Sequence, residues 1–242
     1  MTSIQQGEAH TCSDPARSYL GLFPARDSPG TVTRAWWSWR KVSMGYLSDN
    51  ELREAGFRSI GANVRVSDKA SIYDTDRISI GDNSRIDDFC VVSGSVEIGR
   101  NCHLTVFCNL AGGRAGIVLE DFVTLAYGCH VLAQSDDYSG RTMTNSTVPA
   151  PYKSETIAPV VIRRHSILGT KSIVLPGVEI AEGTSAGAAT LFLESTLPWS
   201  IYVGSPARRI KDRSRNLLAL EARYLAEDKE SDSPSRGRAR DV

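Results

Sequence analysis

The side chains of this chain whose type and spacing could carry chemistry fall into three small sets. They are four histidines (His10, His103, His130, His165), five cysteines (Cys12, Cys90, Cys102, Cys108, Cys129) and the acidic run Ser135-Asp136-Asp137-Tyr138. Histidine titrates near neutrality and is the usual general base. A zinc site needs paired cysteine or histidine ligands at short spacing. The cysteines are odd in number with no CxxC pair, and the histidines are not paired either, so neither a metal nor a disulfide framework is expected. Unpaired cysteines point to a reducing, cytoplasmic setting. A free carboxylate such as Asp136 or Asp137, with a pKa of about 3.9, is a weak base near neutrality. The same run also fits a plain turn whose acids cap backbone amides.

The chain has 242 residues, with 28 Lys+Arg against 28 Asp+Glu, a formal net charge of zero. Such a balance argues against a nucleic-acid binder that works by broad phosphate neutralisation. With 41% hydrophobic and 23% charged residues there is material for a sizeable core. No apolar run approaches the roughly 18 residues that span a bilayer, so no integral membrane segment is expected. The first residues lack the basic and apolar regions of a secretory signal. Aromatics are only 7% while glycines number 20, which suggests a core of small and aliphatic residues in regular order.

The elements that must position these side chains follow from composition and period. Residues 1–43 have no period and carry Trp36, Trp37 and Trp39 beside Arg34, Arg40 and Lys41; they are expected to be an irregular, poorly ordered extension. Residues 44–59 form an entry segment in which Ser48-Asp49-Asn50-Glu51 reads as a capping box and Gly56 as a stop, predicting a helix over 48–56. From Ile60 the text runs in sixes: Ile60-Gly-Ala-Asn-Val-Arg, Val66-Ser-Asp-Lys-Ala-Ser, Ile80-Gly-Asp-Asn-Ser-Arg, Ile98-Gly-Arg-Asn-Cys-His, Leu168-Gly-Thr-Lys-Ser-Ile. An aliphatic residue opens each unit and a small one stands fifth, the signature of a parallel β-helix with three units to a triangular coil. Cys90, Cys102, Cys108 and Cys129 all stand at position five, which makes them small interior hydrophobes. The repeat spans 60–196 and breaks once, at the polar stretch 137–157, an arm of the length that is usually functional. A C-terminal segment, 197–227, ends in a run with Leu217, Leu218, Leu220, Tyr224 and Leu225 that reads as a helix. Residues 228–242 are charged, Ser-rich and expected to be disordered.

The hexads, together with Ile173-Val-Leu-Pro-Gly-Val and Tyr202-Val-Gly-Ser-Pro-Ala-Arg-Arg-Ile, resemble the hexapeptide-repeat acyltransferases over roughly 44–225. Met44-Gly-Tyr-Leu-Ser, Ile86-Asp-Asp-Phe-Cys, Ser135-Asp-Asp-Tyr-Ser-Gly and Met143-Thr-Asn look most like the bacterial dTDP-4-amino-4,6-dideoxy-D-glucose acyltransferases among them. The resemblance implies an all-β fold, a left-handed parallel β-helix; the general crossover rule would favour the right hand. It implies acetyl-CoA as acyl donor, a nucleotide-sugar acceptor, a role in surface-polysaccharide synthesis, and a homotrimer with each site between neighbouring prisms. Matching coenzyme contacts by motif position suggests Thr170, Ala188, Arg208 and Lys211, with Gly169 and Gly187 letting the pantetheine arm approach. Each glycine is equally an ordinary corner, and the basic pair could be solvated surface.

Sugar acetyltransferases of this fold usually carry a catalytic histidine where the arm begins, and counting along the repeat places Asp136 there. His130, nearest in sequence, is the alternative base; Asn109 and Tyr138 are candidate acceptor contacts. His103 and His165 read as surface corners. A sugar hydroxyl depends on a base with a pKa near 7, whereas a neutral amine attacks a thioester unaided. The missing histidine therefore favours N-acylation, with Asp136 and Asp137 holding the amine. O-acetylation through His130 and a non-catalytic trimeric scaffold remain as alternatives. A γ-class carbonic anhydrase shares the fold, but its histidine spacing is not found here.

Overall fold

The computed structural model describes residues 45–231; the extension 1–43, Met44 and the end of the tail lie outside the described residues. The entry helix, α1 (Asp49–Glu54), opens on the expected capping box. Ser48 Oγ accepts from the Glu51 amide, and the Glu51 carboxylate accepts from the Ser48 amide at 2.7 Å. The helix stops two residues earlier than the sequence suggests, and Gly56 follows in the left-handed conformation at φ +72°.

Short strands then wind into a parallel β-helix with three faces. The first face stacks six strands through Ser59–Ile60, Ile78–Ile80, Val96–Ile98, Ile117–Leu119, Val160–Ile162 and Glu179–Ile180. The second runs from Arg65–Val66 to Ser200–Val203 and adds one antiparallel strand, Arg208–Asp212. The third runs from Ser71–Ile72 to Leu191–Phe192. Registers such as Ile80↔Ile98, Ile86↔Leu104 and Val92↔Leu110 put the first residue of every hexad over its counterpart one coil away. These ladders form the core, so the period of six is the vertical stacking rule of the prism.

Position five behaves as its small residues require. Cys90, Cys102, Cys108, Cys129, Ser166 and Ser172 are all buried, and the four cysteines are free thiols. Burial pushes the Cys102 thiol up to about 12, which makes it inert rather than nucleophilic. Position four is the corner itself. Asn63, Asn83, Asn101, Phe89, Phe107, Phe122, His165, Lys171 and Ala189 all have φ between 54° and 67°.

The last coil ends in larger side chains: Phe192 packs on Tyr202 with ring centroids 5.9 Å apart, and Trp199 is buried with its ring 6.2 Å from that of His165. The C-terminal helix, α2 (Leu217–Ser231), lies against the corner between the first and second faces. Glu221 pairs with Arg164 and with His165 Nε2 at 2.9 Å. Tyr224 meets Phe122 edge-on at 6.2 Å. Two readings change here. His165, expected at the surface, is buried because α2 covers it, and helical structure continues past residue 227, the composition-drawn end of the C-terminal segment, to Ser231. Among the described residues no helix is long and apolar enough to cross a membrane.

Candidate functional site

The arm leaves the third face after His130–Leu132 and is closed at its base by a two-residue antiparallel ladder, Gln134↔Ile157 and Ser135↔Thr156. Ala158 rejoins the coil at once, its amide donating to the Ala133 carbonyl at 3.1 Å. The arm is therefore an excursion that leaves the prism register intact.

Asp137 organises the arm. Its carboxylate accepts the Ser139 amide at 2.8 Å, the Ser139 hydroxyl at 2.9 Å and the Thr142 hydroxyl at 3.1 Å. The Ser139 bonds hold its carboxyl down to about 2, so at neutral pH it is a turn cap with little capacity to take a proton. Asp136 differs: its Oδ1 accepts one long bond, 3.3 Å, from the Asn145 amide. Asp136, Asp137, Tyr138 and Arg141 line a cleft of about 500 Å³ whose opposite wall includes Leu175 and Leu193. Tyr138 itself is almost fully exposed.

The other predicted residues lie elsewhere. Asn109 and His130 are register partners on adjacent coils of the third face, continued by Ile173. Gly169 and Gly187 stack at the ridge between the second and third faces, where the Ala189 amide donates to the Thr170 carbonyl at 2.8 Å. A Cβ on Gly169 would lie 2.6 Å from the Gly187 carbonyl carbon, so glycine there is what lets successive coils close up. Arg208 pairs with Val203 beside this ridge, and Lys211 pairs with Ile201 further into the second face; both are exposed.

Within one chain the structure thus brings Asp136, Asp137 and Tyr138 together, and separately Thr170, Ala188 and Arg208. The two groups occupy opposite edges of the third face, about six residues or up to roughly 20 Å of extended chain apart.

No described histidine lines the acidic cleft. His165 is held by Glu221, and His103 Nε2 lies 2.9 Å from Asp87 Oδ2. Burial would raise the Asp87 carboxyl, but hydrogen bonds from His103, Arg85 and Tyr46 outweigh it and hold it below the usual range. His130 is exposed on its strand, and His10 lies outside the described residues. Among the described residues no group of three or more His, Cys, Asp or Glu could hold a metal ion. Sequence reasoning does not single out Phe89 and Phe107, although each stands at the fourth position of its hexad, as Asn63, Asn83 and Asn101 do at the corner between the first and second faces.

Comparison with known proteins adds the following. The family model described as "Bacterial transferase hexapeptide (six repeats)" matches residues 77–112. The dTDP-4-amino-4,6-dideoxy-D-glucose acyltransferase of Escherichia coli is 40% identical over 182 residues, 74% of this chain and 94% of that protein. The crystal structure of AntD, an N-acyltransferase from Bacillus cereus in complex with dTDP and 3-hydroxybutyryl-CoA, is 42% identical, with a TM-score of 0.76; the match covers 76% of this chain and 98% of that one. A serine-to-cysteine variant of AntD, in complex with dTDP-4-amino-4,6-dideoxyglucose and coenzyme A, is 43% identical with a TM-score of 0.75 and the same coverage.

Proposed function

The chain belongs to the hexapeptide-repeat acyltransferases, in the family of the Escherichia coli dTDP-4-amino-4,6-dideoxy-D-glucose acyltransferase, and from that premise we propose the reaction and the residues that carry it out. It is a coenzyme A-dependent acyltransferase acting on the amine of a nucleotide-linked amino sugar. We assign a dTDP-linked 4-amino-4,6-dideoxyhexose as acceptor and acetyl-CoA as donor. The observation that carries this is the match of 40% identity across almost the whole of that relative.

The proposed chemistry follows from what lines the cleft. A neutral amine needs no base to attack a thioester carbonyl; it needs orientation and a late proton acceptor. Asp136 would hold the amine, with Asp137 fixing the turn that presents it. The new C–N bond forms as the C–S bond breaks, and the amine's surplus proton passes to Asp136 or to the departing coenzyme A thiolate. Gly169 and Gly187 let the pantetheine arm lie along the ridge past Thr170 and Ala188, with Arg208 and Lys211 on its phosphates. Asn109 and Tyr138 are assigned to the sugar.

The ridge and the acidic cleft lie on opposite edges of one prism, which favours a site made between two copies. A homotrimer is part of the proposal, to be read by light scattering. The free, buried thiols suit a cytoplasmic enzyme serving surface-polysaccharide synthesis. The test is free-thiol release with acetyl-CoA, and longer thioesters beside it, against dTDP- and GDP-linked amino and hydroxy sugars. Release with amino sugars alone supports N-acylation. Release with hydroxy sugars moves the assignment to O-acylation, and none with any acceptor contradicts an enzymatic role.

A further inference from the structure

A left-handed corner suits asparagine or glycine and disfavours a bulky side chain. A phenylalanine at such a corner therefore needs contacts that offset the conformation. Phe122 shows how the chain supplies them: its ring stacks on His165 at 5.2 Å and 15°, and Tyr224 of α2 closes on it edge-on. Phe89 and Phe107 hold the same backbone conformation, at φ 58° and 67°, on the ridge between the second and third faces. They stack on each other at 5.2 Å and 13°, yet remain 51% and 59% exposed. Tyr127, on the next coil, is 59% exposed.

The stack then stops. The corner that follows Phe107 is Gly128, whose amide donates to the Val106 carbonyl at 3.0 Å. A Cβ at Gly128 would meet only the Lys171 Cγ, at 3.7 Å. Between Phe107 and Lys171 lie two coil spacings, about 9.5 Å, and a planar ring in contact on both sides needs two contacts of about 3.5–4 Å each. The ridge thus carries a step one ring high, walled by Phe107 and the Lys171 stem. The aromatic strip is narrow: the Lys69–Asp88 ion pair at 3.0 Å lies at one end and Lys171 at the other, which suits a flat small ring better than a protein face.

We propose that this step seats the pyrimidine base of the nucleotide-linked acceptor, which continues the Phe89–Phe107 stack and turns its diphosphate toward Lys171. The inference rests on the acceptor class proposed above, since the solved relatives hold dTDP. Aromatic faces are a recurrent platform for bases. The seat lies on the ridge assigned to coenzyme A, one coil before Thr170 and two before Ala188, so acceptor and donor would lie end to end.

The experiment is calorimetric titration of the full chain with dTDP and, separately, with coenzyme A, accompanied by light scattering. Phe107→Ala removes the platform; Gly128→Asn fills the step with a side chain that tolerates a left-handed corner, as at Asn101. Both are expected to weaken dTDP binding about tenfold or more, with coenzyme A affinity and molecular mass unchanged. Unaltered dTDP affinity in both variants overturns the seat alone. A fall in molecular mass in Phe107→Ala overturns it in favour of contact with a second copy. Wild-type protein that binds no dTDP overturns the acceptor class as well.

Discussion

Replacing Gly169 by Ala puts a methyl group where the next coil's backbone already runs. The new Cβ would lie 2.6 Å from the Gly187 carbonyl carbon and 2.7 Å from both the Ala186 oxygen and the Ala188 nitrogen. Ordinary contact begins near 3.4 Å, so the two coils must part by about 0.8 Å at this corner. The Gly169 amide, now 3.0 Å from the Ala186 oxygen, would move to about 3.8 Å, beyond hydrogen-bond range. One lost backbone bond costs about 1 kcal/mol, and overpacking adds about 1–3 kcal/mol. A chain of this size loses about 2–4 °C of melting temperature per kcal/mol, so the expected drop is about 4–16 °C. Each coil touches only its neighbours, so the damage stays local and falls where the pantetheine arm is proposed to lie. The KM for the thioester should rise while dTDP affinity holds. Gly128→Ala is the control: its Cβ has room, and its cost is the left-handed corner alone, about 1–2 kcal/mol. Thermal melting and initial rates read both effects. A Gly169→Ala protein that melts with wild type and keeps its thioester KM would refute the close-packed corner as the basis of the groove.

Asp136→Asn should lower kcat/KM for the amino sugar about 10–100-fold, while His130→Gln stays within about twofold of wild type; the reverse order, read by thiol release, would transfer the proton to His130. The Asp137 carboxyl sits at about 2 against 3.8 for the free side chain, so its grip on the arm is complete above about pH 4 and is lost as pH falls through 2. Amide exchange at Ser139 should accelerate over that window, and Asp137→Asn should make it fast at all pH; a flat profile would remove the capping role. Glu221→Ala strips the partner from Arg164 and from the buried His165, a loss of about 3–5 kcal/mol if nothing relaxed. Since α2 can lift away, the expected outcome is rapid exchange over residues 217–228 with the coils retained, and unchanged protection there would contradict the latch.

The prism was legible because its rule is local and periodic. Every hexad states its own inward aliphatic and its own small fifth residue, so register follows from counting, as the Ile86↔Leu104 and Leu104↔Leu125 pairs bear out. The capping box at Ser48 was legible for the same reason, as a signal complete within four residues. What the pattern hides is which outward side chains are covered and by what. His165 looks like any corner until α2, more than fifty residues later in the chain, folds over it. The two acids of the arm look equivalent in sequence, and only the turn separates Asp137, occupied by three donors, from Asp136 with one long bond. Phe89 and Phe107 were hidden because period-six reasoning attends to positions one and five, while the chemistry of a corner is written at position four.

The most direct test of N-acylation without a histidine base is the ratio of kcat/KM for a dTDP-linked 4-amino-4,6-dideoxyhexose to that for its 4-hydroxy counterpart, measured with one acyl-CoA. A positioned base is worth about 10²–10⁴ in rate to a hydroxyl nucleophile, so the account predicts a ratio of at least about one hundred in favour of the amine. Comparable values for the two acceptors would contradict it.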